Sequence, residues 1–223
     1  MRFRFFIWIA AAFWAAGCGD NQYSMLNGAS AREVQETGEY PAVALIALPD
    51  IGICTGTFVA PNAVLTAAHC ATKSGSYTVY SAFGRYSTSH VERLGPGVLN
   101  DPNDIAFLIF SRDVADPSLG HVYGIGDKPM PGEEVRLVGY GCNDIDLATG
   151  AGVKRTGTNK VFKVADYIEL LSTPNERLKR SHASNALVGS DNQAGACFGD
   201  SGGPMLQQQN NGWKVVGITH AGG

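Results

Sequence analysis

Six residues, GDSGGP at positions 199–204, carry more information than any other stretch of this 223-residue chain. A serine hydroxyl is a weak nucleophile unless a neighbouring base takes its proton. The glycines around Ser201 let the backbone pass close to a substrate carbonyl and permit dihedral angles that other residues resist. The amides of Gly199 and Ser201 could then point into one small space and stabilise an oxyanion. The alternative is a glycine-rich hairpin turn with an incidental serine.

A second stretch, LTAAHC at residues 65–70, supplies a candidate base. Histidine is the usual base for a serine hydroxyl, although a lone histidine is more often structural. His69 follows an apolar segment and stands in a run of small residues. Cys54 lies sixteen positions before Cys70, across a predicted hairpin. A disulfide between them would fix the turn that bears His69 and add about 3 kcal/mol of stability on the chain-entropy model.

A third stretch, NDIAFLI at residues 103–109, places an aspartate at the start of a hydrophobic run. Asp104 is therefore expected to be buried, and a buried carboxylate without a partner is costly. A histidine N–H is a suitable partner, because the pair would select the imidazole tautomer that faces Ser201. The alternative is a turn aspartate that caps a strand.

Composition predicts a folded β protein. With 44% apolar and 17% charged residues, the chain can bury a sizeable core. The net charge of −3 and the lack of any Lys/Arg-rich run argue against nucleic-acid binding. Short segments rich in Val, Ile, Phe and Tyr predict strands at 42–47, 56–59, 63–66, 77–83, 105–110, 135–140, 160–164 and 214–219. Many short strands with frequent turns indicate a sandwich or a barrel.

The three stretches together resemble the trypsin/chymotrypsin family of serine peptidases, in which the catalytic residues also follow the order His, Asp, Ser. The resemblance runs from about Met25 to the last residue. It implies an all-β fold of two packed six-stranded antiparallel β-barrels with the active site between them. It also implies His69 as general base and acid, Asp104 as the orienting carboxylate, Ser201 as the nucleophile, and the amides of Gly199 and Ser201 as the oxyanion hole. The implied reaction hydrolyses peptide bonds through an acyl-enzyme, without a cofactor.

The resemblance also implies a zymogen. In the family, a cut frees a new α-amino group that pairs with the aspartate before the nucleophile, and Met25 and Asp200 occupy the matching positions here. An ammonium group meeting a buried carboxylate can order the oxyanion loop. The residue before Met25 is Ser24, not Arg or Lys, so another protease would have to make the cut. The alternative is that no cut occurs and Asp200 is satisfied locally.

Substrate preference follows from the same resemblance. The base of the family's primary pocket lies six positions before the nucleophile, which is Gly195 here, where trypsins carry an aspartate. Phe198 is expected at the pocket rim, and Gly222 falls where the family keeps a small residue in the pocket wall. Without a charge at Gly195, we expect preference for an uncharged side chain.

The C-terminal part departs from the family pattern. His220 stands where the family usually has a serine that supports the buried aspartate; it could donate to Asp104 or disturb the triad. The family normally continues past Gly223 with a strand pair and a helix, so the peptidase domain at 25–223 is expected to lack these pieces. In many relatives the partner of Cys197 also lies beyond this point, which leaves Cys142, on the loop bordering the oxyanion hole, as its expected partner. No cysteine or histidine spacing typical of zinc occurs, so no metal site is predicted.

The segment 1–24 predicts an export signal and a short linker. Two arginines precede an apolar run at 5–16, and small residues follow up to Cys18. The run is shorter than the about 20 apolar residues that a membrane span needs. The stretch AAGC at 15–18 resembles a bacterial lipobox, so Cys18 would be acylated and hold the protein on the cell-envelope membrane surface. The alternative is an ordinary signal peptide that is cut nearby and gives a secreted protein.

Three functions remain open. The first is a serine endopeptidase acting on a protein or peptide substrate. The second is a catalytically impaired binding protein at the cell surface that keeps the protease fold, which the uncertain activation cut and His220 favour. The third is an esterase, because ester and amide acyl transfer share the same machinery.

Overall fold

The computed structural model describes residues 39–98, 103–144, 149–170, 179–188 and 194–220. These residues form two β-sheets with little helix, so the expected all-β fold is confirmed. Within this part of the chain, no helix is long and apolar enough to cross a membrane. The positions Cys18, Met25 and Gly222, which carry the predicted lipidation, activation and pocket wall, lie outside the described residues.

The first sheet has seven strands in the order β5-β4-β1-β2-β3-β7-β6. Their bounds are β1 Val43–Ala47, β2 Ile53–Ala60, β3 Ala63–Thr66, β4 Tyr77–Ser81, β5 Gly84–Thr88, β6 His90–Arg93 and β7 Ala106–Ile109. Only Ser89 separates β5 from β6, yet these strands lie at opposite edges of the sheet. The sheet must therefore curl until its two edges meet, which is the closure of a barrel.

The second sheet has six strands in the order β11-β10-β9-β12-β13-β8. Their bounds are β8 Gly124–Ile125, β9 Glu134–Gly139, β10 Arg155–Leu170, β11 Lys179–Val188, β12 Pro204–Gln209 and β13 Gly212–Ile218. The turn between β12 and β13 uses Asn210 and Asn211, both with positive φ, as a two-residue hairpin loop requires.

Each sheet buries one apolar face. In the first sheet, strands β1 to β4 and β7 contribute the fully buried Ile46, Phe58, Val64, Val79 and Leu108. A smaller cluster in the second sheet contains Val135, Leu137, Val161 and Met205. These cores hold rigid the strand ends from which the candidate site is built.

Thr55, in the middle of β2, connects the two sheets. Its amide donates to the carbonyl of Ser201 at 2.9 Å, and its hydroxyl donates to the carbonyl of Gly199 at 2.8 Å. The same hydroxyl accepts the amide of Tyr140 at 3.0 Å. The segment 194–203 bears the predicted nucleophile Ser201 and is called the nucleophile loop. Because Thr55 is fully buried, these bonds fix the nucleophile loop of the second sheet against the first sheet.

Candidate active site

His69 lies on a short 3₁₀ helix, Ala68–Ala71, that follows β3 directly. Its Nδ1 lies 2.7 Å from Oδ2 of Asp104, and its backbone amide donates to Oδ1 of Asp104 at 2.7 Å. An ionised carboxylate only accepts hydrogen bonds, so the proton of the neutral imidazole is on Nδ1. The free Nε2 is then an acceptor, as a general base requires.

Asp104 precedes β7 and is 5% exposed. Burial alone would raise its pKa, but hydrogen bonds from His220 and His69 outweigh that effect and lower the pKa to about 2. The carboxylate is therefore charged at every pH at which an imidazole can act as a base. Its position and charge suit the orienting role that the resemblance implies.

His220 contacts the same carboxylate oxygen. It follows β13, and its Nδ1 is hydrogen-bonded to Oδ2 of Asp104, the atom that His69 also contacts. The two imidazole rings meet edge to face, with their centroids 5.7 Å apart. Of the two alternatives for His220, the structure places it as a donor to Asp104, and the His69–Asp104 pair stays intact beside it.

Ser201 lies next to the turn that bears His69. Its carbonyl oxygen accepts the Thr55 amide and lies 3.6 Å from the sulphur of Cys70, the residue after His69. Among the described residues, no hydrogen bond joins the Ser201 hydroxyl to the His69 ring. In ligand-free enzymes such bonds are often long and tighten only when substrate binds.

In the loop before β12, two amides have no acceptor among the residues that the structure describes. The amides of Asp200, Gly202 and Gly203 donate to the carbonyls of Cys197, Thr219 and Asp200, at 3.0, 2.7 and 2.8 Å. Within the described part of the chain, the amides of Gly199 and Ser201 donate no hydrogen bond. Gly199 has a φ of +99°, a conformation open to glycine and strained for other residues. The pair of free amides is what an oxyanion hole needs.

Two disulfides hold the segments around the site. Cys54 and Cys70 join β2 to the His69 turn, with Cα atoms 6.2 Å apart. Cys142 and Cys197 join the end of β9 to the nucleophile loop, with Cα atoms 5.3 Å apart. The Cys142 amide also donates to the Phe198 carbonyl at 2.8 Å. Both cysteine pairs are those that the sequence analysis expected.

Two of the residues expected at the primary pocket, Gly195 and Phe198, are described by the structure, and both lie on the nucleophile loop. Gly195 is half-buried, and the side chain of Phe198 is 68% exposed. An exposed aromatic side chain beside the nucleophile suits contact with a substrate at the pocket rim. Gly195 offers no charge to such a substrate.

Among the described residues, two groups of side chains combine ligand types that metals accept. The sulphur atoms of Cys54 and Cys70, near His69, are already joined in a disulfide. His69, Asp104 and His220 bring two imidazoles and a carboxylate together. A metal ion there would have to replace both protons that now bridge the imidazoles to Asp104.

With this geometry established, comparison with known proteins gives the family. A family model described as Trypsin matches residues 29–223. The chain belongs to the trypsin family. Among curated proteins, it is similar to the CLIP domain-containing serine protease B15 of Anopheles gambiae, at 23% identity. That alignment covers 85% of this chain and 61% of the mosquito protein, so the chain spans less than two thirds of that relative's length.

Solved structures support the same trypsin-family fold. The chain is similar to an inactive form of Rv3671c from M. tuberculosis that carries a serine-to-alanine mutation, with a TM-score of 0.56 and 19% identity over 82% of this chain and 76% of that one. A second inactive form of the Rv3671c protease gives a TM-score of 0.55 and 18% identity, over 84% of this chain and 81% of that one. At these identities the likeness is one of fold.

Sequence reasoning missed two residues of this trypsin-family site. Thr55 bonds to the nucleophile loop from β2, and Arg155, at the start of β10, donates from Nη1 to the carbonyl of Gly141 at 2.8 Å. Thr55 follows Cys54 directly, so its place beside the predicted disulfide was the available signal. Arg155 stands in no motif, and only the pairing of β10 with β9 brings it to the site.

Proposed function

We propose that this chain is a serine endopeptidase that hydrolyses peptide bonds through an acyl-enzyme, with Ser201 as nucleophile. One observation carries the proposal: the His69–Asp104 pair, joined at 2.7 Å, stands beside a serine loop with two free amides. These are the parts that acyl transfer needs, namely an oriented base, a nucleophile and donors for the developing oxyanion.

In the first step, Nε2 of His69 takes the proton of the Ser201 hydroxyl while Oγ attacks the substrate carbonyl. Asp104 holds the imidazole by Nδ1 and stabilises the imidazolium that forms. Negative charge moves to the carbonyl oxygen, and the Gly199 and Ser201 amides donate hydrogen bonds to it. In comparable sites each such donor stabilises the transition state by about 3–4 kcal/mol.

In the second step, the imidazolium gives its proton to the leaving amine, and the peptide bond breaks to leave an ester on Ser201. Water then attacks this ester with His69 again acting as base, and Oγ leaves with the returned proton. The cycle restores the free serine and needs no cofactor.

The finer features belong to the same proposal. A substrate side chain without charge suits the primary pocket, because Gly195 supplies no carboxylate to pair with Arg or Lys. We place the peptidase domain at 25–223, after an export segment at 1–24. Two disulfides support export, since such bonds persist in oxidising compartments. Acylation of Cys18 would keep the exported protein on the envelope membrane.

The test is covalent labelling of the full chain with a phosphonate that reacts with activated serines. Peptide mass spectrometry should find the label on Ser201, and labelling should slow on acidification because a protonated imidazole cannot accept a proton. The Ser201→Ala variant should neither label nor cleave a peptide substrate, whereas Ser74→Ala, which removes an exposed hydroxyl, should do both.

Two results would count against the proposal. Folded protein with both disulfides that takes no label at neutral pH, whether intact or cut before Met25, would favour a binding protein on a protease fold. Labelled protein that cleaves esters but no peptide would favour the esterase.

A further inference from the structure

Asp200, next to the nucleophile, is a fully buried carboxylate. Its Oδ1 accepts the amide of Gly141 at 2.7 Å, and its Oδ2 accepts the amide of Cys197 at 2.8 Å. Two amides satisfy hydrogen bonds but leave the charge itself uncompensated. A buried charge is stable only when it is paired, so a nearby cation has a role here.

Arg155 supplies that cation. It is the first residue of β10 and is 5% exposed. Its Nη1 donates to the Gly141 carbonyl at 2.8 Å and to the Val153 carbonyl at 3.2 Å. The Gly141 carbonyl therefore accepts a hydrogen bond from the guanidinium, and the Gly141 amide donates one to Asp200. One residue thus connects the cation to the carboxylate.

The connection is fixed from both sides. Arg155 pairs with Gly139 in the β9–β10 ladder, which sets the position of the guanidinium. A Cβ on Gly141 would lie 2.4 Å from Oδ2 of Asp200, so only glycine lets the backbone come this close. The Cys142–Cys197 disulfide ties the next residue to the segment whose amide binds the other carboxylate oxygen.

We propose that Arg155 is a positioning residue: it acts as the built-in counter-charge of Asp200 and orders the nucleophile loop without a freed N-terminus. The inference rests on the proposed peptidase function and names how that site is held ready. The path runs from Arg155 through Gly141 to Asp200, whose amide and carbonyl bond to Cys197 and Gly203 on either side of Ser201.

The charges around Asp200 agree with this role. Burial raises its pKa to about 6, against the amides of Cys197 and Gly141 and the positive charge of Arg155, which all lower it. The neighbouring cation, Lys154, turns elsewhere: its Nζ donates to the Tyr40 carbonyl at 3.1 Å. Without the Arg155 charge, the Asp200 pKa would lie higher. In a larger fraction of the molecules Asp200 would then be protonated near neutral pH.

Lys154 is a matched control. It is as buried as Arg155, at 5% exposure, and adjacent in sequence, but its ammonium lies over the Tyr140 ring at 5.8 Å. Replacing either residue removes one buried cation at the start of β10. Only the replacement of Arg155 removes the counter-charge of Asp200.

The experiment measures phosphonate labelling of Ser201 across pH, with the full chain shown by mass spectrometry to be uncut. Arg155→Gln keeps a donor for the Gly141 carbonyl but no charge, and Arg155→Lys keeps the charge. The uncut wild type should label. Arg155→Gln should label about tenfold or more slowly at neutral pH. Its acid limb should move up by about one pH unit.

Arg155→Lys should keep the wild-type acid limb even if its maximal rate is lower, and Lys154→Gln should stay within about twofold of wild type at each pH. A purely structural Arg155 would give the opposite order, with Gln close to wild type and no shift of the limb, and that result overturns the proposal. Wild-type protein that labels only after a cut near Met25 would also overturn the proposed role of Arg155, although the proposed peptidase function would then stand. If no form labels, cut or uncut, the proposed function and this inference both fail.

Discussion

Asp104 and Asp200 flank one site from two different sheets, and their pKa values move in opposite directions. Asp104 precedes β7 of the first sheet, and its pKa is lowered to about 2. Asp200 precedes β12 of the second sheet, and its pKa is raised to about 6. Both carboxylates are buried and both accept backbone amides, so neither burial nor amide contact alone separates them.

The difference lies in the side chains that touch each carboxylate. Burial opposes ionisation at Asp104 too, but two imidazoles donate to it directly, together with the His69 amide. At Asp200 the direct donors are two neutral amides, and the Arg155 guanidinium acts through Gly141. Direct hydrogen bonds from side chains that can carry a positive charge therefore lower a carboxyl pKa by more than burial raises it. Two amides and a cation that acts through another residue do not lower the pKa enough to offset burial.

The two carboxylates are thus suited to different tasks. A carboxylate that stays charged at all working pH values holds an imidazole in one tautomer throughout. A carboxylate with a pKa near 6 can gain a proton under mildly acidic conditions, and its loop contacts then weaken. In the proposed peptidase, the surroundings of Asp104, the first region, would orient the catalytic base. The surroundings of Asp200, the second region, would determine how firmly the nucleophile loop is held.

Removing the charge in the first region should have the largest effect. Asp104→Asn keeps the shape but offers an amide group that can hold the wrong imidazole tautomer. We expect kcat to fall by about 10⁴-fold, as for the equivalent change in comparable triads. Steady-state hydrolysis of a peptide substrate measures this, with Asp113→Asn as an exposed control. A fall of less than about tenfold would show that Asp104 does not orient the base.

The sequence revealed the first region more fully than the second. His69, Asp104 and Ser201 each stand in a short stretch whose local pattern predicts burial or exposure, and the structure places His69 and Asp104 in contact and Ser201 at the adjacent turn. Thr55 of the first sheet acts through a contact with Gly199, 144 residues further along the chain. Arg155 contacts Gly141, 14 residues earlier, because β10 pairs with β9. No local pattern encodes such contacts, because the first depends on how the two sheets meet and the second on how two strands pair.

The strands follow the same rule. The buried strands β1, β2, β3, β7 and β9 overlap predicted segments, since their apolar runs are legible. The strands β5 and β6 were missed because they are largely exposed and have polar sequences. The strand β10 runs over Arg155–Leu170, whereas only 160–164 was predicted, because its first residues are polar and buried by cross-strand pairing. Tertiary context overrode local propensity at these places.

The opposite pKa shifts should appear as opposite effects of pH on stability. A lowered folded pKa means that the contribution of Asp104 is present above about pH 4 and is lost as pH falls toward 2. A raised folded pKa means that charged Asp200 costs stability as pH rises from about 4 through 6. The shifts correspond to about 2 kcal/mol for Asp104 and about 3 kcal/mol for Asp200.

Urea unfolding of three proteins between pH 2 and 8 checks both signs. The stability difference between wild type and Asp104→Asn should shrink by about 2 kcal/mol as pH falls from 5 to 2. The stability of wild type relative to Asp200→Asn should instead fall as pH rises from 4 to 7. Differences that change with pH in the same direction for both variants would mean that the two environments are not opposed.

His220→Ser should give the smallest effect, because it removes one of the three hydrogen bonds that Asp104 accepts from the two histidines. The His69 side chain and amide remain on the carboxylate, so the base stays oriented and kcat should fall by less than about tenfold. The lost donor should cost about 1–2 kcal/mol of stability at neutral pH and raise the pKa of Asp104. The acid limb of unfolding should then begin at a higher pH than in wild type.

A matched control is His90→Ser, which removes an exposed imidazole paired with Glu92 at 3.0 Å. An exposed pair contributes about 0–1 kcal/mol, so its unfolding curve should stay near that of wild type at all pH values. If His220→Ser instead lost as much activity as Asp104→Asn, the second imidazole would be essential to the triad.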